Sequence, residues 1–302
     1  MPTLRPDTKP LAALADRLQG FVLHRVETPV GALAYRESGA AVSAVTHVLL
    51  HGIGSASASW LMQLEAAAGD AQVRLLAWDA PGYGGSDALP MEVPVAADYA
   101  QRLWAWLDAV QASGTPTSSP ITLVGHSLGC LMAASAARQA PHRVKNLVLL
   151  SPAQGYARAT ASEREQKLNE RIGNLAKLGP AGMAQRRGAA MLSPDASPQQ
   201  VAFVQSTMAQ IHPAGYTQAV HLLVGGDLLT DLSAVSCPVA VASGSADTVT
   251  PPAACRAAAA HIGAHYTSIA GSGHACAVEA PDEVTQLIRL APQAINSGLA
   301  KV

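Results

Sequence analysis

One serine in this chain stands where its hydroxyl could attack an acyl carbon. Gly125-His126-Ser127-Leu128-Gly129 follows the apolar run Ile121–Val124 and leads straight into a helical pattern. A tight turn from strand to helix strains the serine backbone and lifts its hydroxyl above the sheet, and small residues two before and two after are needed because neighbouring chain passes close by. A hydroxyl is a weak nucleophile until a base takes its proton. Of the ten histidines, His274 is the one set in a loop of small residues, Ala270-Gly271-Ser272-Gly273-His274-Ala275, between a strand pattern and a helix pattern. The base in turn needs a carboxylate to hold its tautomer and to stabilise the imidazolium. Asp247 meets that need in Gly244-Ser245-Ala246-Asp247-Thr248, again just after a strand pattern.

The tetrahedral intermediate formed by such an attack carries an oxyanion, which must be met by backbone N–H groups. Leu128, next after the serine, supplies one donor. The second is expected from Ile53 in His51-Gly52-Ile53-Gly54-Ser55, where glycines let the main chain approach, with His51 bracing the loop; the alternative is that this stretch is an ordinary turn. His126 is expected to point away from the reaction and to serve structurally. His24, His47, His142, His212, His221, His261 and His265 read as core or surface histidines, and Asp227 and Asp231 as helix caps or surface charges. Asp79-Ala80-Pro81-Gly82-Tyr83-Gly84-Gly85-Ser86 is glycine-rich, but it fits neither dinucleotide nor nucleotide loop patterns and reads as a turn beside the site. No cation stands in the serine turn or the Gly52 loop, and Arg138 and Arg158 have no evident route to the serine.

Those residues need a sheet to hold them. Strand patterns run over Phe21–Glu27, Gly31–Glu37, Val45–Leu50, Gln72–Trp78, Ile121–Gly125, Asn146–Leu150, Val239–Ser243 and Ala264–Ala270. The first two suit an antiparallel hairpin across Thr28-Pro29-Val30. The next four are nearly unbroken apolar runs, as strands covered on both faces should be, and strands alternate with helix patterns, which predicts a mostly parallel sheet. The predicted helices are Ser57–Ala68, Val95–Gln111, Leu128–Arg138, Pro252–Ile262 and Pro281–Leu290. Between about Gly155 and Leu232 no strand pattern occurs. Helical stretches fill that span at Ser162–Leu178, Ala181–Met191 and Pro198–Ile211, punctuated by Gly179-Pro180, Ser193-Pro194 and Pro213-Ala214-Gly215. Charge concentrates there as well. The expected organisation is one α/β core, residues 1–154 and 233–302, with a helical cap insertion over 155–232 whose Met183, Met191, Leu192, Phe203 and Met208 could line a pocket or pack within the cap.

Composition narrows the function classes. The 302 residues are 49% hydrophobic and 14% charged, so a large core is expected and wholesale disorder is not. Lysine plus arginine (20) nearly balances aspartate plus glutamate (21), without the basic surplus or stripe of a nucleic-acid binder. No apolar run is long enough to span a bilayer, and the first 20 residues are too interrupted and too acidic for a signal peptide, so a cytoplasmic protein without a membrane partner is expected. Cys130, Cys237, Cys255 and Cys276 lack metal-ligand spacing and read as idle thiols; neither a metal nor a cofactor is expected.

Taken in order, HGIGSASASW, DAPGYGGSD, VGHSLG, GSADTVTP and GSGHACAVEAP resemble the α/β-hydrolase superfamily, and the resemblance spans about Val45 to Leu290. It implies an eight-stranded, mostly parallel sheet flanked by helices, and the chain order nucleophile, acid, base matches Ser127, Asp247, His274. Within the superfamily the chain resembles bacterial ester, enol-lactone and meta-cleavage-product hydrolases that carry a helical cap. Two features depart from the meta-cleavage pattern: His126 stands where asparagine usually precedes the nucleophile, and HGIGSA replaces a proline-containing loop. The serine separates the chain from epoxide hydrolases and haloalkane dehalogenases, which use aspartate. The expected activity is hydrolysis of a small carboxylic ester, lactone or thioester, with C–C hydrolysis of ring-fission products as the alternative. A ligand receptor on the same fold is the reading from another class, and a cofactor-free perhydrolase is a further possibility.

Overall fold

The computed structural model describes residues 16–39, 44–70, 72–115 and 117–294; most of the N-terminal stretch read above for a signal peptide lies outside them. Among the described residues, eight strands form one sheet: β1 (Leu23–Val26), β2 (Leu33–Gly39), β3 (Val45–Leu50), β4 (Arg74–Trp78), β5 (Thr117–His126), β6 (Val144–Leu150), β7 (Val239–Gly244) and β8 (His265–Ile269). Their order across the sheet is β1-β2-β4-β3-β5-β6-β7-β8. β1 pairs antiparallel with β2, as the hairpin pattern predicts, and β2 pairs antiparallel with β4; every other pairing is parallel.

Side-chain alternation divides the core between the two faces. Val48, Leu50, Leu76, Trp78, Leu123, Leu147 and Leu149 point into one apolar layer, and Leu49, Leu75, Ala77, Val124, Val148 and Leu150 into the other. The first layer is covered by α2 (Ala96–Ala112) and α3 (Gly129–Gln139), the second by α1 (Leu61–Ala68) and the C-terminal helix Pro281–Ala294. Strands buried on both faces are mostly apolar, which is why their sequences read as near-continuous runs, with polar residues such as His47, Arg74 and Asn146 toward their amino ends.

Between β6 and β7 the chain forms helices only: α4 (Ala161–Arg187), α5 (Pro198–Met208), α6 (Pro213–Gly225) and the short α7 (Leu228–Leu232). Gly179 breaks α4, with φ 62° and ψ 174°, a conformation in which glycine is almost alone. Gly179-Pro180 therefore separates two helical stretches, as read, although they are nearly continuous. Pro213-Ala214-Gly215, expected to punctuate the helical stretches, opens a further one. Pro213 occupies the first turn of α6, where a missing N–H costs no hydrogen bond. The two ends of the helical segment touch: Tyr156 N–H donates to Leu223 O and Leu228 N–H to Gln154 O, at 3.1 and 3.0 Å. A Cβ on Gly155 would lie 2.0 Å from Gly226 O, so only glycine permits that approach.

The order β4-β3-β5 makes the chain leave β3 toward one side of the sheet and later resume on the other at β5. Loops at the carboxyl ends of two such strands diverge and leave a crevice between them, the usual position of a ligand site in an open α/β sheet. The loops leaving β3 and β5 are those containing Ile53 and Ser127.

Candidate active site

Ser127 has φ 53°, in the left-handed region that a residue with a Cβ adopts only when its surroundings compel it. Contacts around it show what compels it. A Cβ on Gly125 would stand 2.6 Å from Gly129 O, and one on Gly129 would stand 2.3 Å from Leu50 O. These are the close passes that the two small residues were read to allow. The turn is pinned further by Ser127 N–H donating to Leu150 O at 2.9 Å, and α3 begins immediately after it.

Gly52 brings the neighbouring loop against this turn; a Cβ there would lie 2.9 Å from Ser127 Cβ. His51 holds that loop. Its Nε2 accepts the Ala80 N–H at 2.9 Å, so its proton sits on Nδ1 and is donated to Gly52 O at 2.8 Å. Burial favours this neutral form and lowers the His51 pKa. The Asp79 turn supports the structure from below: Oδ1 accepts Ser57 N–H at 2.8 Å and Oδ2 accepts Gly85 N–H at 3.2 Å. Its Gly82 packs on Gly215 of α6, where a Cβ would meet Gly215 Cα at 2.5 Å. The segment is a structural turn against the helical segment, as read. Among the described residues, neither the Ile53 N–H nor the Leu128 N–H finds an acceptor, and both residues line the cavity that Ser127 lines.

His274 borders the same cavity, on the loop after β8. Its Nδ1 lies 2.9 Å from Asp247 Oδ2, with the aspartate side chain fully buried behind it. Asp247 also accepts Val249 N–H and Thr250 N–H on Oδ1, at 2.8 and 2.9 Å, and Thr250 Oγ1 stands 2.8 Å from Oδ2. Burial pushes this carboxyl pKa up, but His274 and the Thr250 donors outweigh it and hold the value down at about 2. Asp227 and Asp231 lie elsewhere. The first caps α7 through Thr230 N–H and pairs with Arg158 at 3.0 Å, and the second pairs with Arg138 at 2.9 Å.

His126 departs in part from the reading made of it. Its Nε2–H donates to His274 O at 2.8 Å, the supporting role expected, yet the residue also borders a lobe of the cavity instead of pointing away. Burial, followed by the charge of His274, lowers its pKa to about 3, so it stays neutral at ordinary pH.

The cavity has two lobes that meet at Ser127, His274 and Ile53. The larger, about 220 Å³, extends under the helical segment past Tyr156, Arg171, Met183 and Arg187. The smaller, about 60 Å³, is closed by Trp60, Phe203, Val204 and Val278. Met191 and Met208 border both lobes, whereas Leu192 borders neither and packs on Gly273. The serine turn and the Gly52 loop hold no cation, as read, but the helical segment supplies two that the sequence did not point to. Arg138 and Arg158 are indeed engaged elsewhere, but α4 brings Arg171 and Arg187 to the cavity wall. The available signal was the charge run Ser162–Arg171 and Gln185–Arg187, which periodicity alone cannot aim.

Sequence reasoning also missed Glu279. This buried carboxylate accepts Ser193 N–H and Oγ–H on Oε1 at 2.9 and 2.6 Å, and Gly273 N–H on Oε2 at 2.7 Å. It joins the helical segment to the loop holding His274. Among the described residues, no group of three or more His, Cys, Asp or Glu is placed to hold a metal ion, and no helix is long and apolar enough to cross a membrane.

Comparison with known proteins agrees with this fold. The chain is 26% identical over 250 residues, 80% of its length and 88% of the relative's, to (E)-2-((N-methylformamido)methylene)succinate hydrolase of Acinetobacter baylyi. A thermophilic esterase from Thermogutta terrifontis, solved with malate bound, superposes with a TM-score of 0.77 at 22% identity, covering 91% of this chain and 99% of that one. The enol-lactonase of Burkholderia xenovorans superposes with a TM-score of 0.76 at 20% identity, covering 89% and 99%. The alpha/beta hydrolase family profile matches residues 48–287, from β3 through the serine turn and the His274 loop into the C-terminal helix, and by that match the chain belongs to the α/β hydrolase family.

Proposed function

We propose that this chain is a serine hydrolase of a small carboxylic ester, lactone or thioester. The observation that carries the reading is Ser127 in a strained turn, on one cavity with a histidine whose far nitrogen is held by a buried carboxylate. Ser127 Oγ attacks the acyl carbon while His274 Nε2 takes its proton. Asp247 keeps the His274 proton on Nδ1 and stabilises the imidazolium as it forms. The N–H groups of Ile53 and Leu128 receive the oxyanion, commonly the largest single catalytic contribution. His274 then protonates the leaving group, the acyl-enzyme remains on Ser127, and a water deprotonated by His274 releases the acid. Every one of these roles falls to a side chain or backbone group, so no cofactor is required. Residues 155–232 act as the cap that shapes the acyl and leaving-group lobes, with the α/β core on either side of it in sequence.

A second reading is C–C hydrolysis of an anionic ring-fission product by the same residues. It is favoured by Arg171 and Arg187, because that reaction needs polar groups to hold a carboxylate away from the reacting carbon. The named substrate of the Acinetobacter relative, a substituted succinate, also carries carboxylates.

Replacing Ser127 by Ala tests the shared core of both readings. Multiple turnover of p-nitrophenyl esters should fall by roughly 10³–10⁶-fold with the melting temperature preserved. A folded Ser127→Ala protein that still turns over would reject the nucleophile, and a wild-type protein that binds esters without turnover would point to a receptor.

A further inference from the structure

Two other arginines of the helical segment are already engaged within the protein. Arg158 pairs with Asp227, and Arg164 donates to Ala157 O and Ala159 O. Arg171 and Arg187 are each only partly exposed, and among the described residues neither makes an ion pair or a side-chain hydrogen bond. No carboxylate borders the larger lobe with them; Asp247 is sealed behind His274. Two half-desolvated guanidinium groups facing one lobe without a counter-charge raise its potential, and an anion entering it gains what the protein does not supply.

Their convergence has a structural cause. Sixteen positions along an unbroken helix would separate the two residues by about 24 Å. The break at Gly179 turns the helix between them, so that both border one cavity of about 220 Å³. The rest of that wall is largely apolar, and the smaller lobe, which shares Ser127 with it, is lined by Trp60, Phe203 and Val278 with Ser59, His126 and Thr207 also on its wall. The site is thus polarised, with two cations on one lobe, a serine shared by both, and a smaller, mostly apolar second lobe.

We infer that Arg171 and Arg187 bind a carboxylate carried by the substrate, so that the preferred substrate is a small acyl compound with a free carboxylate on one side of the scissile bond and a compact apolar group on the other. This inference rests on the hydrolase reading for its kinetics but not for its binding. A guanidinium fork matches the two oxygens of a carboxylate, and the lobe, at about 220 Å³, is smaller than the pockets of drug-sized ligands and suits a small substrate.

The test compares p-nitrophenyl butyrate with mono-p-nitrophenyl glutarate, which differs mainly in its terminal carboxylate. Wild-type protein should favour the glutarate ester at least tenfold in kcat/KM, about 1.4 kcal/mol of differential transition-state binding. Arg171→Gln and Arg187→Gln should each lower that ratio through KM, the double variant should bring it near one, and Arg187→Lys should restore part of it. A ratio near one in wild type, or a ratio unchanged in the double variant, would overturn the inference, as would a stronger preference for a phosphate-bearing ester. Calorimetry of glutarate with Ser127→Ala protein separates the two readings: arginine-dependent binding without ester turnover in wild type would sink the hydrolase and leave the anion site standing. Ester turnover with no glutarate binding would do the reverse.

Discussion

The sheet edge and the helical segment meet at one cavity but hold their polar groups in opposite ways. At the sheet edge the groups that orient the site are held before any substrate arrives, and the Ile53 and Leu128 N–H groups are left open toward the cavity. His51 is fixed at both ring nitrogens, Asp247 accepts from two backbone N–H groups besides facing His274, and the Ser127 turn is wedged between glycines that tolerate no side chain. The helical segment lines the same space with flexible methionines and with two arginines that have no ion-pair or side-chain hydrogen-bond partner among the described residues. Pre-organised groups suit a reaction whose charge distribution is always the same. Unpaired cations and adaptable side chains suit selection among substrates. On the proposed function, chemistry belongs to the loops of the sheet and choice of substrate to the insertion, so variants on each side should fail differently.

The largest effect is expected at the sheet edge. Asp247→Asn presents an amide to His274 Nδ1 and favours the wrong tautomer, so kcat should fall about 10²–10⁴-fold across all substrates alike. Asp227→Asn and Asp231→Asn, both in the helical segment, should stay close to wild type. Steady-state kinetics on two unrelated esters checks this; an active Asp247→Asn protein would remove Asp247 as the acid of the triad.

Glu279 joins the two regions and should show an intermediate effect. Glutamine there keeps the shape but sets an NH₂ against either the Gly273 N–H or the Ser193 donors. Loss of a buried hydrogen bond to a charged group costs about 1–3 kcal/mol. A lower melting temperature together with a roughly tenfold fall in kcat/KM is expected, because Gly273 is next to His274. If thermal melts and kinetics of Glu279→Gln match wild type, the two regions are not coupled through this carboxylate.

The smallest effect lies away from the cavity. Buried His47 has its pKa lowered to about 4, chiefly by burial, so the folded protein resists a proton that the unfolded chain accepts near 6.5. The unfolded state then binds more protons between those values, and stability is lost as pH falls through that window, by about 2 kcal/mol at pH 5 for this residue. His47→Gln should flatten the fall in melting temperature between pH 7 and pH 5 without altering substrate preference at pH 7. An unchanged pH dependence would remove His47 as its source.

The two regions also differed in how far they could be read from residues alone. Short local rules govern the sheet: apolar runs for strands covered on both faces, and small residues around a strained serine. All eight strands and the positions of Ser127, His274 and Asp247 at carboxyl-edge loops were therefore legible, with strand ends displaced by a few residues. The β5 start was missed because Thr117–Pro120 carries no apolar pattern. The insertion follows no such local rule. Arg171 and Arg187 converge only because Gly179 takes one particular φ and ψ, and Glu279 matters only because Ser193, 86 positions earlier, folds against it. Contacts of that range leave a charge run or a buried glutamate in the sequence, without saying which way it faces.

Ser127 as the attacking group underlies both readings of the chemistry. Intact protein should be treated with a fluorophosphonate, whose phosphorus is captured by an activated serine, and the adduct located by mass spectrometry of its peptides. One adduct per chain, on Ser127, formed in step with loss of esterase turnover and absent in Asp247→Asn protein over the same time, is the expected result. An adduct on another serine, or full turnover in a protein labelled at Ser127, would contradict it.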